Sequence, residues 1–140
     1  MATVEEHVRI SAPADEVWSI VRDFGSIADW APPIADADLD GEGVGAERTL
    51  TLADGGQVVE RLEALDDDDR TLRYSIVDGP LPVAEYEGTF SVTAIDDSTC
   101  EVAWGSTFTV DGPPEDEITG MFSELYTAGL DGLREHVAGA

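Results

Sequence analysis

The chain contains no lysine. Its seven bases are all arginine and face 31 acids, for a formal net charge of −24 at pH 7. That balance argues against nucleic-acid binding, which needs clustered Lys and Arg to displace counterions. An anionic bilayer would repel the same surface, so neither nucleic acid nor membrane insertion is expected. Such a chain repels itself in dilute salt, and concentrated salt screens the repulsion. Heavy Asp and Glu without lysine therefore points to a halophilic setting, which concerns solvent rather than activity.

Cysteine is almost as scarce. Cys100 stands alone, which excludes an internal disulfide and fits a cytoplasmic protein. In a strand pattern it reads as a small, half-buried packing residue. No apolar run approaches membrane length, and Met1-Ala2-Thr3-Val4 leads straight into Glu5 and Glu6 without a leader pattern. The two histidines, His7 and His136, stand at opposite ends with no Cys or His partner at ligand spacing, so zinc is not indicated. Gly41-Glu42-Gly43-Val44-Gly45 has no strand directly before it and no helix after it, which argues against a phosphate loop. No serine stands in a nucleophile elbow, and no cofactor is expected.

What remains is 140 residues with no repeat and no linker, read as a single domain over 1–140. Pro113–Ala140 predicts a long helix. Prolines and acids suit its start, and Ile118, Met121, Phe122, Leu125, Tyr126, Gly129, Leu130, Leu133 and Val137 recur at helical spacing. Nearly everything before it alternates like sheet. Strands are predicted over Thr3–Ile10, Glu47–Ala53, Gln57–Leu65, Thr71–Val77, Glu85–Ile95 and Thr99–Val110, with two short helices after the first. The first of these runs from Ala14 through Phe24 to a stop at Gly25, and the second spans Ser26–Trp30. An antiparallel meander followed by one long helix is an α+β arrangement.

Asp36, Asp38, Asp40, Gly41 and Glu47 fit the spacing of a calcium loop. The flanks do not: Pro32-Pro33 occupies the place of the entering helix, and a strand pattern occupies that of the exiting one. The segment is expected to be a solvated turn, with no metal. Asp66–Asp69 is likewise expected to be a solvated hairpin tip. More is implied by the aromatic set Trp30, Tyr74, Tyr86, Trp104, Phe108, Phe122 and Tyr126, several with polar tips, which suits an apolar pocket with a few orienting groups. Glu60 shares a strand face with Val58 and Leu62. A carboxylate there would be desolvated and raised in pKa, a candidate ligand anchor or catalytic acid/base.

Three stretches carry a resemblance: VEEHVRISAPADEVWSIVRDFGSIADW, GEGVGAERTLTL and ERLEALDDDDRTLRYSIVDGPLPVAEYEGTFSV. With the order of elements, they resemble the START-like helix-grip superfamily, which includes polyketide cyclase/dehydrase-like proteins, pollen-allergen-type lipid carriers and plant abscisic acid receptors. The resemblance implies a curved antiparallel sheet of six to seven strands wrapped on the C-terminal helix, with a cavity between them. It implies pocket positions at Glu60, Tyr86, Gly88, Phe108, Met121, Leu125 and Gly129. Ala53–Gly56 and Gly79–Val83 match the gate and latch loops of the plant receptors. The receptors' pocket lysine and latch His-Arg-Leu are missing here, so hormone sensing is not implied. Ala31 stands where many bacterial relatives carry a histidine. The reading that follows is binding of a small hydrophobic molecule by a monomer or homodimer, with Trp30, Tyr74, Trp104 and Phe122 added to the pocket. The alternatives are an enzyme of cyclase, aromatase or dehydratase type with Glu60 as acid/base, and an interaction protein whose core is filled.

Overall fold

Period-two alternation turns one face of each strand inward. In the computed structural model, which describes residues 1–139, the first strand β1 (Ala2–Ile10) buries Ala2, Val4, Val8 and Ile10 and leaves Thr3, Glu5 and Arg9 in solvent. Two short helices follow, α1 (Ala14–Val21) and α2 (Ile27–Trp30). Helix α1 stops at Val21, earlier than the spacing of Phe24 predicts. Phe24 is nonetheless buried, carried by the turn between the helices.

The chain then builds β2 (Ile34–Asp40), β3 (Glu47–Leu52), β4 (Gln57–Asp66), β5 (Thr71–Asp78), β6 (Val83–Asp96) and β7 (Thr99–Val110). These strands and β1 form one antiparallel sheet in the order β1-β7-β6-β5-β4-β3-β2. Register shifts at Val59/Glu60, Leu62/Ala64 and Ala84/Glu87 mark bulges, each of which bends its strand and adds to the curvature of the sheet. Helix α3 (Glu115–Ala138) closes the concave side and packs on β1 and β7. It buries Ile118, Phe122, Tyr126, Leu130, Leu133 and Val137, and each large apolar side chain so buried is worth about 1.5–3 kcal/mol. This is the helix-grip fold.

Strand β2 corrects the expectation of a solvated turn. Asp36, Asp38 and Asp40 lie in an extended edge strand paired with β3, and Asp40 stands opposite Glu47 across the hairpin. Alternate residues on a strand are about 6.6 Å apart along it, so carboxylates at positions 36, 38 and 40 run in a row instead of converging on an ion. Among the described residues no cluster of potential metal ligands occurs.

The β4–β5 tip is also more than a solvated charge run. Trp18 Nε1 and Arg22 Nε each donate to Asp67 Oδ1 at 2.8 Å, tying the tip to α1. These bonds hold the Asp67 carboxyl below its ordinary value. Asp66 Oδ1 accepts from the amides of Asp68 and Asp69 and shapes the turn. Cys100 lies fully buried in β7 as a free thiol, deeper than the half-burial expected of it.

Candidate functional site

Glu60 lies where the alternation of β4 puts it, inward between Val58 and Leu62, and is 6% exposed. Its partner is a residue that the sequence reading passed over. Arg48, 4% exposed, faces inward from β3 directly opposite Glu60 in the strand register. Arg48 Nε donates to Glu60 Oε1 at 2.8 Å and Nη1 donates to the Phe24 carbonyl at 3.0 Å. Nη2 lies 2.7 Å from the same Oε1 as an ionic contact, without an acceptor in line with its N–H groups. The guanidinium carbon sits 3.8 Å over the Phe24 ring and 5.2 Å from that of Tyr74, so aromatic faces supply the rest of its solvation. Burial raises the Glu60 pKa, and the charge and hydrogen bond of Arg48 oppose the rise. The missed signal was available: Arg48 alternates with Leu50 and Leu52 as Glu60 does with Val58 and Leu62.

Beside the ion pair runs a chain of hydroxyls. Trp104 Nε1 donates to Tyr74 OH at 2.9 Å. Tyr74 OH lies 3.1 Å from Tyr86 OH, which bonds in turn to Tyr126 OH. Tyr126 donates to Ser106 Oγ at 2.7 Å. Tyr126 spends its one proton on Ser106, so it accepts from Tyr86, which in turn accepts from Tyr74, and the protons all point one way, from Trp104 towards Ser106. Burial raises the pKa of Tyr74, Tyr86 and Tyr126, which keeps the chain neutral. Ser106 is the buried polar residue in the alternation Val102, Trp104, Ser106, Phe108, a pattern that also marks it in the sequence.

Between these groups and α3 lies a cavity of about 390 Å³, inside the range of ligand pockets, about 300–1,000 Å³. Ile27, Pro33, Ile34, Leu50, Leu52, Val58 and Ile76 give it apolar walls, and Leu81, Ala53, Asp54 and Glu124 also border it. Of the sequence candidates, Glu60, Tyr74, Tyr86, Trp104, Met121, Phe122 and Leu125 line it. Leu125 is half-buried and Met121 is 39% exposed, the only large exposed apolar residue of α3 among the described residues. The flat apolar face that a filled-core interaction protein would show on α3 is thus absent from those residues. The loops expected as gate and latch contribute Ala53, Asp54 and Leu81 to the lining.

Four candidates are not brought to the cavity wall. Trp30 is buried behind it, edge-on to Phe90 and Trp104 at centroid distances of 5.8 and 6.2 Å. Phe108 stacks on Tyr86 at 6.0 Å and supports it from below. Gly88 and Gly129 act through what they lack. A Cβ on Gly129 would stand 2.6 Å from Cζ3 of Trp104, and one on Gly88 would run into the Tyr74 ring. Both glycines make room for an aromatic that does reach the cavity.

The sequence profile of the family described as polyketide cyclase/dehydrase and lipid transport matches residues 1–138. The chain belongs to that family. This member is 35% identical over 89 residues to abscisic acid receptor PYL2 of Arabidopsis thaliana, a match that covers 60% of the chain and only 47% of the receptor. Its structure is similar to that of XoxI from Bacillus cereus, with a TM-score of 0.90, 32% identity, and coverage of 96% of this chain and 94% of that one. The ZhuI aromatase/cyclase from a Streptomyces species shares the fold, with a TM-score of 0.78 at 22% identity over 99% of this chain and 92% of its own. The polyketide cyclase/dehydrase family thus supplies a ligand-binding type of fold, and no helix among the described residues is long and apolar enough to cross a membrane.

Proposed function

We propose that the protein binds a small, mostly apolar molecule in the cavity between the sheet and α3. The observation that carries this reading is the cavity itself: about 390 Å³ of apolar wall around one buried carboxylate and one hydroxyl chain. Packed interiors leave few voids larger than a water molecule, so a space of this size at the helix-sheet seam asks for an occupant. The test is titration with a neutral naphthalene fluorophore, N-phenylnaphthylamine, against the native protein and an Ile76→Trp variant. One-site binding that is lost when the indole fills the cavity supports the reading. Equal binding by both proteins would place the probe on the surface and refute it.

A second reading, an enzyme of cyclase, aromatase or dehydratase type, is favoured by one observation. Glu60 is a buried carboxylate at the cavity wall with a raised pKa, as a general acid/base requires. Tyr74 and Tyr86 would orient the substrate. Unchanged turnover of a polyketide substrate by Glu60→Gln would remove Glu60 from the mechanism.

A further inference from the structure

The polar groups around the cavity share one property. Arg48 engages Oε1 of Glu60 and leaves Oε2, and Glu60 lines the cavity whereas Arg48 stands behind it. The phenols of Tyr74, Tyr86 and Tyr126 have each committed their single proton to the next oxygen along, ending at Ser106, so towards a ligand they offer lone pairs only. The N–H of Trp104 is committed to Tyr74. The remaining charged groups on the lining, Asp54 and Glu124, are acids, and no basic side chain among the described residues lines the cavity. Every side-chain polar atom that a ligand meets is therefore an acceptor.

We infer that the cavity selects apolar molecules whose polar group is a hydrogen-bond donor, a hydroxyl or a protonated amine, and discriminates against carboxylates. The inference rests on the binding reading above and names the ligand class for it. A donor satisfies Glu60 Oε2, and hydrogen bonds to charged groups are the stronger kind. A carboxylate finds no donor, loses its water, and faces Glu60 with like charge, a juxtaposition that suppresses the wrong ligand.

The test is calorimetric titration of the full chain with four ligands that share one apolar body: naphthylethanol, its methyl ether, naphthylethylamine and naphthylacetate. About 1 M KCl shortens the screening length to about 3 Å, which removes the general repulsion of anions by an acidic protein. The alcohol and the amine are expected to bind at least about tenfold more tightly than the carboxylate, and the alcohol about tenfold more tightly than its ether. Glu60→Gln retains an oxygen for Arg48 and turns an NH2 group towards the cavity, so it should narrow the alcohol–ether gap and relieve the carboxylate penalty. If that variant fails to fold, the ether comparison on the native protein decides by itself. Equal or tighter binding of naphthylacetate, or equal binding of alcohol and ether, overturns the selectivity and leaves the binding reading standing. Absence of binding by all four ligands overturns both.

Discussion

Removing one partner of the Arg48–Glu60 pair should destabilise the protein more than removing both. In Glu60→Leu the guanidinium keeps the Phe24 carbonyl and two ring faces but loses its counter-ion. Stripping one member from a buried pair costs about 3–5 kcal/mol, a large part of a total stability of about 5–15 kcal/mol. An arginine keeps its charge in proteins, so this variant has no escape by titration. Arg48→Met differs, because Glu60 can take up a proton. Burial already raises the Glu60 pKa against the pull of Arg48, and without Arg48 it rises further. A carboxyl whose folded pKa exceeds the unfolded value of about 4.3 binds its proton more tightly when folded. The contribution is therefore intact below that pH and is lost, at up to about 1.4 kcal/mol per pH unit, as pH rises towards the folded pKa. Arg48→Met should thus be markedly less stable at pH 8 than at pH 5, with the native protein showing the same sign and a smaller slope. The double variant replaces the pair by apolar volume and should match the native protein or exceed it by about 1–4 kcal/mol. Urea unfolding followed by tryptophan fluorescence at fixed KCl and several pH values measures all four proteins. A double variant no more stable than the worse single, or an Arg48→Met profile flat from pH 5 to 8, would refute the reasoning.

The hydroxyl chain gives a second prediction: Tyr126→Phe strands the Tyr86 proton and the Ser106 acceptor, and should cost about 1–3 kcal/mol in the same urea assay. A loss too small to measure would mean that water replaces the phenol. Gly129→Ala drives a methyl into Trp104 and should cost about 1–3 kcal/mol through overpacking. It should also shift the Trp104 emission, and an unchanged spectrum and midpoint would show that the ring moves freely. The net charge of −24 should make the melting temperature climb between 0.1 and 1 M KCl, as the screening length falls from about 10 to about 3 Å. Calorimetry in which the midpoint stays level would dismiss self-repulsion as a stability term.

The long helix was legible because one signal repeats along it: apolar residues at helical spacing behind a proline-and-acid start, and α3 runs over Glu115–Ala138. Glu60 was legible because a charge between Val58 and Leu62 breaks a two-residue rhythm. Arg48 breaks the same rhythm before Leu50 and Leu52, yet in a chain with so few bases a lone arginine reads as a solvent-facing counter-charge. Strand β2 hid behind composition, since acids at alternate positions match a metal loop as well as a strand edge. What decides between them is pairing with β3, a contact that spacing alone does not encode. The hydroxyl chain was beyond reach for a related reason. It joins β5, β6, β7 and α3, and its geometry depends on the exact registers of three successive strands and on where α3 docks against them. The aromatic residues announced themselves, whereas the direction of their protons belongs to the assembled sheet.

The sheet does not close into a barrel, so β2 is left with an outer rim of backbone groups that no strand among the described residues covers. Rims of that kind invite a neighbour to add its own strand. Here the invitation is withdrawn by the row Asp36, Asp38 and Asp40. A second copy docking edge to edge would bring its own aspartates alongside these, and strands in register lie only about 4.8 Å apart. Like charges directly opposite one another across a strand pair are destabilising, so each aspartate of the row opposes that pairing. The acids that mimic an ion site in the sequence therefore disfavour edge-to-edge stacking of copies at the open rim of the sheet.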